Sequence, residues 1–484
     1  MSRSVRIIDV TLRDAHQCLW ATRMTTAMMK DIAPLLDRAG FEAIDLVGGA
    51  VFDVCVRYLR EDPWERMRIL SSWVKETPLI IHTRGQSLFT FEFFADDVVA
   101  LSAERFAANG MRYHTPYDAV NDIRNLEVAI RSAKQVGLHT IGGIVFTHSP
   151  VHTDEFYARK AKELIKLGVD GVYIKDASGL LRPDRALTLV PTIKQAIGDL
   201  PLQLHSHCLS GLAPYTALLA VDGGVEVVHT ATSTMANGAS HSPTELFVRN
   251  CRRRGYQIDL DLKPIEEAAD RLAYLAKIAD KPLAEIAQYD EFHFHHQMPG
   301  GMISNLKYQL STVGLEDRLE DILEEAGHVR ADLGYPIVVS PFAQYIITQA
   351  VLNVMGHNQG KPRYETVPDE VRLYVRGGYG EVVGNIDPNL YDKIVRGAEP
   401  ITERPGAHVP MALDKLRSTR GPFASDDDLL FAAYYADKEY SELKRAGPIR
   451  LDTDSIGATP LTTLIKQLAS RPSIRAFSLS SNSA

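Results

Sequence analysis

Residues 139–176 read HTIGGIVFTHSPVHTDEFYARKAKELIKLGVDGVYIKD. The run His139–Phe146 is short, apolar and rich in β-branched residues, as a buried strand is. Asp154–Leu167 follows a different period: Phe156, Ala161, Leu164 and Ile165 recur at helical spacing, and Gly168 marks the turn that ends it. A second apolar run, Val172–Lys175, comes next. The segment is therefore a strand, a helix and another strand. Working outward, the unit repeats. Strand-like runs occur at Val5–Leu12, Ala43–Val47, Leu79–Thr83, Met111–Thr115, Leu202–His207 and Val225–His229, which makes eight in about the first 250 residues. Helical stretches such as Thr25–Ala39 separate them, and Gly40, Gly110, Gly137 and Gly224 punctuate the turns. Eight strand–helix units predict a (β/α)8 TIM barrel. An open doubly wound sheet alternates similarly, but no Gly-x-Gly-x-x-Gly follows the first strand.

The chain has 484 residues, too many for one barrel, so a second domain is expected. Beyond about residue 260 strand signals thin out, while Ile265–Ala279, Glu316–Glu325 and Pro341–Met355 read as helices. The expected organisation is a barrel over 1–260, a mainly helical domain over 261–445 that covers the barrel mouth, and an irregular, Ser-rich tail over 446–484. A net charge of −8 argues against a nucleic-acid surface. No apolar run approaches the ~20 residues of a membrane span. The N-terminus lacks signal-peptide features, and Cys18, Cys55, Cys208 and Cys251 form no Cys-x-x-Cys pair, so a cytoplasmic location is expected.

In a TIM barrel, chemistry gathers at the C-terminal ends of the strands. Polar residues there are Arg13, Asp14 and Gln17 after the first run, Arg84 after the third, Lys175 and Asp176 at the sixth, and His205 and His207 on the seventh. Alternate strand residues share a face, so His205 and His207 can meet one cation. Asp14 would complete a mixed nitrogen and oxygen site for Zn, Mn or Co. Lys175 is open to several readings: a partner of Asp176, a Schiff-base former, a proton donor, or an amine that takes up CO2 as a carbamate. Arg13 and Arg84 are suited to a substrate carboxylate, or to structural pairing with acids such as Asp45.

Eight segments carry a resemblance, in this order: DVTLRDAHQCLWATRM (9–24), GGAVFDVCVRYLREDPWERM (48–67), RGQSLFTFEFFADDVV (84–99), SPVHTDEFYARKAKEL (149–164), IKDASGLLRP (174–183), HSHCLSG (205–211), HQMPGGMISNL (296–306) and SPFAQYIITQAVLNV (340–354). Together they resemble the biotin-dependent carboxyltransferases: the carboxyltransferase domain of pyruvate carboxylase, the oxaloacetate decarboxylase alpha subunit and the transcarboxylase large subunit. The resemblance runs from about residue 5 to about 440. It implies that Asp14, Lys175, His205 and His207 bind a divalent metal, with Lys175 carbamylated. It also implies that Arg13, Gln17, Asp53 and Arg84 bind the 2-oxo acid and biotin. Ser340 stands where the family usually has a threonine that relays a proton, a role a serine hydroxyl can keep. The implied reaction moves CO2 between carboxybiotin and a small 2-oxo acid, such as pyruvate or oxaloacetate, through a metal-stabilised enolate. The resemblance further implies a homodimer or higher oligomer.

Departures from the family pattern cluster at the expected mouth. Phe91 replaces a tyrosine, Ala177 and Ser178 stand in a usual Met-Ala segment, and HSHCLSG replaces a usual His-Thr-His-Asp-Thr-Ser-Gly. They imply an altered, more apolar acceptor pocket. No Ala-Met-Lys-Met biotinylation site and no ATP-binding Gly-rich loop is present. Biotin is therefore expected on a separate biotin carboxyl carrier protein, loaded by a separate biotin carboxylase. The competing expectation is a biotin-independent metal aldolase or lyase of the hydroxymethylglutaryl-CoA lyase type, built on the same barrel.

Overall fold

The computed structural model describes residues 4–312 and 316–452, together with positions 465 and 468. The expected tail at 446–484 lies outside the described residues from 453 on, apart from those two positions.

Eight parallel strands close into a barrel in sequence order: β1 Arg6–Asp9, β2 Ala43–Val47, β3 Leu79–Thr83, β4 Tyr113–Pro116, β5 His139–Val145, β6 Gly171–Asp176, β7 Leu202–Ser206 and β8 Val227–Thr230. Each coincides with an expected run. The first is shorter than Val5–Leu12 because Val10 begins a wide turn, in which the Ala15 amide reaches back to the Val10 carbonyl. That turn, Thr11–Ala15, is fully buried and folds Arg13 and Asp14 inward over the barrel. Register then places the chemistry. Lys175 pairs with His205 across β6 and β7, so both side chains point inward, while Asp176 and Ser206 point outward together. Asp176 accepts from the Ser206 hydroxyl and from the Leu180 and Leu181 amides. It is a structural anchor and no partner of Lys175.

Local signals fix the helices. Thr153 caps Asp154–Lys166 by accepting from the Phe156 amide, and the chain leaves that helix through Gly168 at φ +79°. Thr25–Ala39, expected as one helix, is two short ones, Thr26–Met29 and Ala33–Asp37, with Pro34 starting the second. In the EDPWERM segment, Asp62 caps Pro63–Trp73 and Trp64 is fully buried. Arg66, wholly buried, pairs with Glu61, which also accepts from Thr26.

The packing divides the chain elsewhere than at residue 260. Leu262–Ile278 belongs to the barrel core through Ile265, Leu272 and Leu275, and the chain returns to the same core with Leu429, Phe431 and Leu443. Phe431 packs against Trp64 and Phe52. A second core forms mainly around Leu319–Asp332, Phe342–His357 and Asp369–Val375. This helical cap is bolted to the loop after β5. Arg330, 4% exposed, donates to the Pro336 and His148 carbonyls and the Thr147 hydroxyl, with no carboxylate partner among the described residues. Gln297 bonds the same loop at Thr147 and His148. No helix among the described residues is long and apolar enough to cross a membrane.

Candidate active site

Between barrel and cap lies a cavity of about 380 Å³. The barrel lines it with Arg13, Asp14, Gln17, Arg84, Lys175 and His207, and the cap with Pro299, Met302, Val339 and Ser340. Of the expected site residues, His205 lies directly behind this wall, its Nε2 3.3 Å from Lys175 Nζ. Asp53 is not brought in. It sits a turn along Gly49–Val54 from the lining residues Gly49 and Ala50, and its carboxylate accepts from Arg57 Nε at 2.8 Å.

Arg13 is committed to acids. It bonds Asp14 at 2.8 Å and meets Asp45 through Nε and Nη2 at 2.7 and 2.6 Å, all three side chains being nearly inaccessible. Arg84 is different. Its Nη1 donates to the Phe89 and Thr90 carbonyls, its Nε has no partner, and no carboxylate pairs with it among the described residues. Its guanidinium lies 4.7 Å from the centre of the Phe91 ring, so the residue at the family's tyrosine position supplies a π face. Gly49 makes this approach possible: a Cβ there would stand 2.6 Å from the guanidinium.

Asp14 Oδ2 is the centre of the second feature. His205 Nε2 lies 3.0 Å from it, His207 Nε2 3.2 Å and His241 Nε2 2.9 Å. One donor atom from each of these four buried residues falls within 4.8 Å of the others. The far nitrogens settle the tautomers. His207 Nδ1 faces the Ala239 carbonyl at 2.7 Å and His241 Nδ1 the Ser206 carbonyl at 3.1 Å. A carbonyl only accepts, so both protons sit on Nδ1. For His205 the partner is His229 Nδ1 at 3.0 Å, and His229 Nε2 donates to Gln203 Oε1 at 3.1 Å. His229 thus accepts at Nδ1, and His205 also carries its proton there. Three Nε2 atoms therefore converge on one carboxylate oxygen. Such a set calls for a cation or a proton, and its outer hydrogen bonds are those that orient metal-ligating imidazoles. The donors fit the divalent metal the sequence implied.

Protonation follows the same logic. Burial works against the His207 imidazolium, but the Asp14 carboxylate outweighs it and pushes His207 up to about 10. Burial, together with His207, pushes His241 down to about 4. Burial also lowers Lys175 to about 8, leaving part of its amine neutral near physiological pH.

Sequence reasoning missed His241 and Tyr117. His241 lies in the loop after β8, and only its backbone bridge to His207 reveals its place. Tyr117, just past β4, lines the cavity and stacks on His82 with centroids 4.8 Å apart. Of the departures, Ala177 lines the cavity, and the Ser178 hydroxyl donates to the Val338 carbonyl two residues before Ser340.

Two family models match the chain: one described as HMGL-like over residues 97–272, the other as a conserved carboxylase domain over residues 294–459. The chain is 41% identical over 441 residues to a pyruvate carboxylase subunit of Methanocaldococcus jannaschii, covering 89% of this chain and 76% of that one. It is 36% identical over 400 residues to the 2-oxoglutarate carboxylase large subunit of Hydrogenobacter thermophilus, covering 82% and 61%. Among solved structures, the carboxyl transferase domain of Rhizobium etli pyruvate carboxylase with pyruvate superposes with a TM-score of 0.83 at 25% identity, over 96% of this chain and 78% of that one.

Proposed function

Because the chain belongs to the biotin-dependent carboxyltransferase family, we propose that it moves CO2 between carboxybiotin on a separate carrier protein and a small 2-oxo acid held at the barrel mouth. The observation that carries this reading is one cavity lined by a guanidinium without an acid, by members of a cation-ready donor cluster, and by the hydroxyl of Ser340. Arg84 takes the substrate carboxylate, since its free donors face no protein acid. Asp14, Lys175, His205 and His207 hold the divalent metal. When bound, that metal supplies Lewis acidity towards the keto oxygen. Lys175 joins them after reaction with CO2: its neutral amine forms an N–C bond and releases a proton, and the cation becomes an anionic carbamate. Gln17, whose buried Oε1 lacks a partner, orients the bound molecules from the barrel side.

Ser340 carries the proton. Its hydroxyl faces the cavity from the cap and makes no hydrogen bond among the described residues, so it can accept from the substrate carbon and donate to the nitrogen that CO2 has left. The resulting carbanion then attacks CO2. Both named relatives are single subunits of larger carboxylases, which supports an assembly in which carrier and biotin carboxylase are other chains. The test is exchange of substrate protons followed by NMR, using purified protein, metal, free biotin and a panel of pyruvate, 2-oxobutyrate and 2-oxoglutarate, with oxaloacetate decarboxylation in parallel. Biotin-dependent exchange with one acid is expected and names the acceptor. Turnover of a 4-hydroxy-2-oxo acid without biotin, and no response to biotin with any acid, would overturn the proposal in favour of a lyase.

A further inference from the structure

We infer that Tyr117 is a substrate-binding residue: its phenolic hydroxyl and the one free nitrogen of Arg84 together hold the carboxylate of the acceptor acid. The inference rests on the carboxyltransferase reading for the identity of that acid, and goes beyond it by adding a second donor from the end of β4.

Arg84 by itself offers no two-pronged grip. Its Nη1 is spent on the Phe89 and Thr90 carbonyls, and its Nε is sealed off without a partner, so only Nη2 is left to meet a ligand. A carboxylate taken out of water needs donors for both of its oxygens. A second donor must therefore stand beside Arg84. Among the described residues that line the cavity, two carry hydroxyls, Tyr117 and Ser340, and Tyr117 is the one on the barrel wall. Its amide donates at 3.0 Å to the carbonyl of Thr83, the residue before Arg84, so phenol and guanidinium leave neighbouring strand ends. Phe91 gives that guanidinium a π face and no hydroxyl.

The phenol itself asks for a ligand. Tyr117 is 5% exposed, and its ring is fixed: it stacks on His82 and shares a small apolar cluster with Ile141, Val145 and Val339. A phenylalanine would fill that place equally well. Buried tyrosine hydroxyls find partners as a rule. Tyr157 spends its own on the Thr147 carbonyl, Tyr364 on Asp332 and Tyr434 on Ser102. The Tyr117 hydroxyl makes no hydrogen bond among the described residues. Its oxygen is not sealed as Arg84 Nε is, and so opens on the cavity. A fixed, unspent donor beside a half-spent guanidinium is what a bound carboxylate requires.

The test is calorimetric binding of oxamate, a 2-oxo acid mimic with no carbon to deprotonate, to the full chain loaded with Mn(II) and to its Tyr117→Phe variant. The variant is expected to keep its metal and its circular dichroism. It binds oxamate roughly 10- to 100-fold more weakly, because a hydrogen bond to a charged group is gone. In the proton-exchange assay the KM for the acceptor acid rises by a similar factor, while kcat and the KM for free biotin stay as they were. Equal affinity of the two chains for oxamate would overturn the inference. So would loss of metal from Tyr117→Phe, a rise confined to the KM for biotin, or an unsubstituted chain that binds no oxamate. Calorimetry needs neither biotin nor turnover, so the two readings fail separately. Weakened oxamate binding without biotin-dependent exchange keeps Tyr117 as a carboxylate ligand and sinks the carboxyltransferase reading; intact exchange with equal oxamate affinity sinks Tyr117 alone.

Discussion

On the barrel side of the cavity every charged or imidazole group is held twice, once by its strand or turn and once by a partner: Arg13 by Asp45, His205 by His229, His207 by the Ala239 carbonyl, Arg84 by the Phe89 carbonyl. On the cap side Pro299, Met302, Val339 and Ser340 are positioned from a distance, through Arg330, Gln297 and the Ser178 hydroxyl. The first wall is built for orientation, with its donors aimed before any ligand arrives. The second brings an unbonded hydroxyl to a place where its proton can change owner. On the proposed reading, binding and proton transfer fall to different parts of the fold.

Four substitutions sharpen or break that contrast. The largest effect is expected from His207→Ala, which removes a barrel-wall donor and leaves Asp14 facing unpaired lone pairs: transfer activity falls by more than about 10³-fold, and metal content falls with it. A variant that kept its metal would show that the barrel wall is not the binding wall. Next, Ser340→Ala lowers the rate of biotin-dependent proton exchange by roughly 10²-fold with metal content unchanged, while Ser340→Thr restores it. If Ser340→Ala lost metal, the division between the walls would collapse.

Smaller is Arg330→Met. It leaves the Thr147 hydroxyl and the Pro336 and His148 carbonyls without their donor, and is expected to lower Tm by several degrees. Because the cap loop carries Ser340, kcat drops several-fold more than KM rises; a change in KM alone would place Arg330 outside the proton path. The smallest effect concerns Asp118, on the seam between the walls, which accepts from the Val120 and Asp122 amides and from Asn125. Burial, with Asp122 nearby, pushes its pKa up to about 7 from the ordinary 3.8. Between those values the native chain binds a proton that the unfolded chain has released. Stability therefore falls as pH rises from about 4 to about 7 and levels off above. Asp118→Asn is expected to lack this slope in denaturant titrations across that range; identical slopes would show that Asp118 does not titrate there.

What could be read from sequence alone follows the physics of each feature. The eight strands were legible because a parallel barrel buries each one on both faces and separates them by helices of regular period. His205 and His207 were legible because they alternate at the end of one strand-like run, although the strand itself closes at Ser206. His241 was not: it sits in a loop without periodicity, and its neighbour His207 is 34 residues away. Asp53 was assigned by motif, but the motif did not show that Arg57, a turn on, would draw the carboxylate away. The EDPWERM segment, so useful for recognising the family, does structural work through Glu61, Arg66 and Trp64, and lines none of the described cavity. The return of Leu429, Phe431 and Leu443 to the barrel core escaped notice because amphipathicity tells that a helix face is covered, and not by what.

Gly49 carries a last consequence. The seat of the Arg84 guanidinium is the volume a methyl group would take, so on the proposed reading recognition of the substrate's charge depends on matter that is missing. In a saturation mutagenesis screen scored on growth or turnover, this column should be intolerant even of alanine, though position 49 brings no side chain to the cavity it lines. The selectivity of the pocket is in that sense written into the backbone, where a change of side chain can only subtract from it.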